Sequence, residues 1–127
     1  MKIFDFYKLK KGFRVAFEGL GIALKEQTFR ILCFCAVLVI FLMIVLGLGF
    51  FERIIIIILV ISVLAFELVN TQIEKILDFL QPNHDPKVKI IKDVSAGAVL
   101  LVSMGAAIIG FLIFCPYFIK LFDFLFK

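Results

Sequence analysis

The run RIIIIILVISVLAF, residues 53–66, holds no charge after Arg53 and is too apolar for the half-wet surface of a soluble fold. It follows a stretch from 31 to 51 that carries no charged residue at all. A helix needs ~20 apolar residues to cross a hydrocarbon core of ~30 Å, and these runs supply them. Hydrophobic residues make up 64% of the 127-residue chain, against roughly 45–50% in soluble domains, so one core could not bury them. The chain reads as an all-α integral membrane protein with a single domain, residues 1–127.

Three spanning segments are expected, at about residues 29–51, 54–80 and 98–118. Residues 1 to about 28 are too polar to span, but Phe13, Ala16, Phe17, Leu20 and Leu24 share one helical face while Arg14, Glu18 and Lys25 lie well away from it. That pattern predicts an amphipathic helix in the membrane interface. Gly47 and Gly49 permit a tight turn after the first span, with Glu52 and Arg53 at the boundary. Pro82 and Pro86 bracket the loop QPNHDP and stop the second helix. An amphipathic stretch, KVKIIKDVSAG, leads into the third span. There, Ser103 with Ala107 and Ala106 with Gly110 set small residues four apart, the spacing that allows close helix approach.

The net charge of +4 matters less than its placement. Lysines and arginines concentrate before the first span and around the loop after the second, which puts both on the cytoplasmic side; the membrane is expected to be the plasma (inner) membrane. Lys120 and Lys127 run against that orientation. Anionic lipid explains these basic residues better than nucleic acid does. No cleavable signal peptide is expected. Cys33, Cys35 and Cys115 read as small buried apolar side chains, and a lone His84 leaves a zinc site short of ligands.

The chemistry concentrates in ELVNTQIEKILD, residues 67–78. At ~100° per residue, with Glu67 as zero, Glu74 falls at about −20°, Asp78 at about +20°, Thr71 at about +40° and Asn70 at about −60°. Five polar side chains therefore share one stripe that runs from inside the membrane boundary outward. A charge within a spanning helix costs about 2.5–3.5 kcal/mol on insertion scales and points to function. Like charges at Glu74 and Asp78 call for a cation among them, either a basic side chain or a hard divalent ion such as Mg²⁺. KEQTFR adds Glu26 and Arg30, and KIIKDVSAG adds Lys92 and Asp93, near the same membrane face. Carboxylates on two helices with a lysine suit phosphoryl transfer; a cation- or proton-coupled transporter would also use membrane carboxylates. A purely structural assembly protein has no use for Glu67. The Gly-rich nucleotide loops of soluble kinases are absent.

ELVNTQIEKILD followed by KIIKDVSAGAVLL resembles the signature of the small prokaryotic diacylglycerol kinase family, which includes undecaprenol kinases. KEQTFR is similar to the family's element before the first span, and FRVAFEGLGIALKEQTFR to the N-terminal spacing of its undecaprenol-kinase-like branch. The resemblance implies a homotrimer whose active sites lie between subunits at the membrane–cytoplasm boundary. It implies ATP and Mg²⁺ as phosphoryl donor and metal, and a lipid alcohol as acceptor, with undecaprenol somewhat favoured over diacylglycerol. By position it makes Glu67 the catalytic base and Asn70 the residue that orients the reacting groups. Glu26 and Glu74 become the metal carboxylates. Lys92, with Asp78, Asp93 and Arg14, falls to the nucleotide. Gln72 and Leu32 depart from the family pattern, and Leu32 bears on a detail of nucleotide or metal contact.

Overall fold

The computed structural model describes residues 5–126 and is helical throughout its regular structure. Helix α1 covers Phe6–Ala23, α2 Gln27–Val45, α3 Phe50–Leu80 and α4 Pro86–Leu125. The last three are long and apolar enough to cross a membrane. At ~1.5 Å per residue the 19 residues of α2 rise about 28 Å, close to one hydrocarbon core.

The starts of α1 and α4 have a local cause. The Asp5 carboxylate accepts from the backbone N–H groups of Tyr7 and Lys8 at 3.1 and 3.3 Å, which caps α1. Asp85 does the same for α4 through Lys87 N–H at 2.8 Å, with Pro86 in the first turn, where its missing N–H costs nothing. Glu26 stands at the N-cap of α2 without making a capping bond, so its carboxylate is available elsewhere.

The turn between α2 and α3 is tighter than the sequence reading placed it. Helix α2 ends at Val45, Gly47 takes φ +64°, and Phe50 and Phe51 already belong to α3. Glycine is required at position 47 because a Cβ in the left-handed region meets the following carbonyl. A polar clasp closes this turn. Glu52 accepts from Gly49 N–H at 2.8 Å and from the Tyr117 hydroxyl, while Arg53 Nε donates to the Leu48 carbonyl at 2.6 Å. The small core of Met43, Leu48 and Ile56 sits directly beside it, packed by Ile113 and Phe114.

Helix α4 also differs from expectation. KVKIIKDVSAG and the third span form one helix of 40 residues, about 60 Å long, with Pro116 inside it. Gly97 stands at the junction but keeps helical geometry, and no proline interrupts the chain there, so the two join. The small residues of α4 do not close a tight contact within the chain: a Cβ at Gly105 or Gly110 would meet nothing within 4 Å. Cys35 is exposed, and Cys33 and Cys115 are half-buried, rather than enclosed as expected. An apolar side chain loses nothing by facing lipid.

Burial runs opposite to that of a soluble domain. The large apolar side chains of all four helices are mostly exposed, while α3 buries Glu67 and Asn70 alongside Ile56. Helix α3 packs against both α2 and α4, which turns its polar stripe toward the other two spans.

Candidate active site

Glu67 and Asn70 are 5% and 8% exposed, the two buried polar side chains among the described residues. Their helix supplies the reason: they stand on the stripe of α3 that faces α2 and α4, so the bundle and not the lipid receives them. Together with Thr71 and Glu74 they line a cleft of about 400 Å³. Helix α2 contributes Glu26 at its N-cap, Thr28 and Leu32, and α4 contributes Ala96, Val99, Leu100 and Ser103.

The hydrogen bonding within the cleft is incomplete. Asn70 Nδ2 donates to Glu74 Oε1 at 3.1 Å, which fixes the amide one turn from that carboxylate. Asn70 Oδ1 is buried and has no partner among the described residues. An unpaired buried acceptor costs about 1–3 kcal/mol, so this oxygen is a standing demand for a donor from outside the chain. Glu67 makes no hydrogen bond or ion pair among the described residues.

Four of the residues singled out in the sequence, Glu26, Glu67, Asn70 and Glu74, meet on this cleft. Asp78 and Lys92 form an ion pair that ties the end of α3 to the start of α4, and neither lines the cleft. Arg14 lies away from it, 3.9 Å from Glu18 on α1 with 80% of its side chain exposed. Asp93 is exposed on α4 and likewise does not line the cleft. His84 is exposed in the loop before α4.

Two features escaped the sequence reading. Lys75 Nζ reaches Glu26 Oε1 at 2.6 Å, an ion pair between residues 49 apart. Helical phase places Lys75 at the edge of the polar stripe, at about +80°, but says nothing of the neighbour it meets. The second feature is an apolar groove of about 490 Å³ between α2, α3 and α4. It is floored by the small residues Ala106, Ala107 and Gly110 and walled by Val39, Val60 and Phe114. Leu32 and Ser103 line both groove and cleft, so the two spaces adjoin.

No group of three or more His, Cys, Asp or Glu with metal-site geometry occurs among the described residues. The cleft offers carboxylate oxygens from Glu26 and Glu74. That donor set fits a hard ion such as Mg²⁺, which takes one or two carboxylates and completes its shell from phosphate and water.

Residues 14–114 match the prokaryotic diacylglycerol kinase family. An undecaprenol kinase of Bacillus subtilis (strain 168) is 39% identical over 82 residues, a match that covers 65% of this chain and 65% of that relative.

Proposed function

Because the chain belongs to the prokaryotic diacylglycerol kinase family, we propose that it is a lipid-alcohol kinase. It transfers the γ-phosphoryl group of ATP to a lipid hydroxyl at the cytoplasmic boundary of the plasma membrane. The observation that carries this reading is a carboxylate cleft joined to an apolar groove at Leu32 and Ser103. A lipid alcohol has that same division between a reactive polar end and a hydrocarbon chain.

In the reaction the lipid oxygen forms a bond to the γ-phosphorus, the bond from that phosphorus to the bridging oxygen breaks, and ADP leaves. Glu67 accepts the hydroxyl proton; its burial keeps water from competing for the same position. Asn70 holds Glu74 through its amide N–H and offers Oδ1 to a donor in the cleft. Glu26 and Glu74 would hold Mg²⁺, which supplies charge neutralisation on the phosphates. Lys92, oriented by Asp78, serves the nucleotide phosphates, with Arg14 and Asp93 at its periphery. Helix α1 lies in the interface and closes the site from the cytoplasm, and three copies assemble around sites that neighbouring subunits share.

Undecaprenol is the favoured acceptor because the relative of that name matches at 39% identity. Diacylglycerol is the second acceptor, on the family's description. The transporter alternative accounts for Glu67 but leaves the adjoining groove and the family membership without a role. The test is a paired assay in lipid nanodiscs with radiolabelled ATP and Mg²⁺, supplying either lipid. Faster labelling of undecaprenol supports the proposal, faster labelling of diacylglycerol reverses the acceptor, and labelling of neither, with cation flux in vesicles, restores the transporter.

A further inference from the structure

Glu26, Glu67 and Glu74 put three carboxyl groups on one cleft, and acids gathered in this way need a cation or a proton between them. Glu74 has the amide of Asn70 as a neutral partner. Glu26 has Lys75, which meets it at 2.6 Å from the next helix. The Glu26 carboxylate is available for this contact because it caps nothing at the start of α2. Both side chains of the pair remain partly open to water, at 56% for Lys75 and 41% for Glu26. An ion pair so exposed contributes little to stability and opens easily. The lysine carries its ammonium on a flexible stem that can leave without moving the backbone.

We propose that Lys75 is a stand-in cation: it neutralises Glu26 while the cleft holds no divalent ion, and yields that carboxylate when the ion arrives. This role rests on the kinase reading above. Lys75 is then a positioning residue. It keeps Glu26 at the mouth of the cleft between turnovers and competes with the metal for the same oxygen. The Asp78–Lys92 pair does not serve this purpose, since neither of its members lines the cleft.

The competition has a readout that does not depend on catalysis. Mn²⁺ binding to the full chain in nanodiscs, without nucleotide, is followed by electron paramagnetic resonance. Lys75→Gln should tighten binding about fivefold, the order expected for losing a competing exposed ion pair. Lys75→Arg, which keeps the charge, should bind as the unaltered chain does. In a Glu26→Gln background, Lys75→Gln should change nothing. Lys75→Met serves as a second neutral variant if the glutamine variant does not fold. Unchanged or weaker Mn²⁺ binding in the neutral variants of a chain that phosphorylates lipid overturns the role of Lys75. Failure of the unaltered chain to phosphorylate lipid overturns the kinase reading itself, and this role with it.

Discussion

Asn70 illustrates how this site trades stability for readiness. Its Nδ2 is satisfied by Glu74, while its Oδ1 stands buried without a donor. Replacing Asn70 by an apolar side chain of similar shape removes the desolvation penalty of Oδ1, about 1–3 kcal/mol, and the half-buried Glu74 can take water in place of the lost amide donor. Asn70→Leu should therefore unfold at the same temperature as the parent or higher, while lipid phosphorylation falls to background. A clear loss of thermal stability with activity retained would show that Asn70 is structural. Glu74 makes a different prediction. Outer-shell partners of a metal already account for about 10- to 100-fold in affinity, so removing a direct ligand by Glu74→Ala should weaken Mn²⁺ binding by at least about tenfold. Unchanged binding, measured by the same resonance, would remove Glu74 from the metal. At this scale the sequence was informative where helical phase alone decides. Of the five polar residues on one stripe, Glu67, Asn70, Thr71 and Glu74 line the cleft, whereas Asp78 at its outer end pairs with Lys92 instead. Lys75 was not legible, because phase does not reveal that Glu26 of another helix lies opposite. Asp93 comes from its place at the entry to the third span and the site role of Arg14 from resemblance alone, and the chain by itself leaves both outside the cleft.

Among the elements, the spans were legible from hydropathy but their joints were not. The sequence reading put the end of the first span at residue 51, because Phe50 and Phe51 continue its apolar character. The left-handed Gly47 ends that helix earlier, and Gly49 begins the next. Composition is blind to this distinction, whereas backbone geometry is not. The same limit hid the continuity of α4. A change from charged to apolar residues marks a change of solvent along a helix, not a break in it. The clasp between Glu52, Gly49 and Tyr117 joins residues 65 apart in the chain and had no sequence signal. Tyr117→Phe removes a donor from Glu52 and an acceptor from Gly49 N–H, although Glu52 still holds Gly49. It should lower stability by about 1 kcal/mol. Since the clasp lies at the opposite end of α3 from the cleft, kinase turnover should be unchanged. A turnover defect with normal stability would mean that the clasp reaches the site.

For the molecule as a whole, the inverted burial pattern is the central physical fact. Apolar side chains face outward to lipid, and buried polarity collects where α3 meets its neighbours. The proposed orientation follows from the lysines around residues 75–92 and before α2, with Lys120 as the dissenting charge. In a chain with Cys33, Cys35 and Cys115 replaced, Asn83→Cys should react with an impermeant maleimide in inside-out vesicles, and Phe51→Cys only in right-side-out ones. The reverse labelling would invert the molecule and put the cleft on the wrong side for cellular ATP. The central claim is that a buried carboxylate at the membrane boundary takes the proton of a lipid hydroxyl during phosphoryl transfer. Its most direct test is the rate of radiolabel transfer from ATP to lipid in nanodiscs, for the parent chain and for Glu67→Gln. General-base catalysis contributes about 10²- to 10⁴-fold, so the variant should fold and bind nucleotide normally while its turnover drops by that factor. Turnover within a few-fold of the parent would contradict the account.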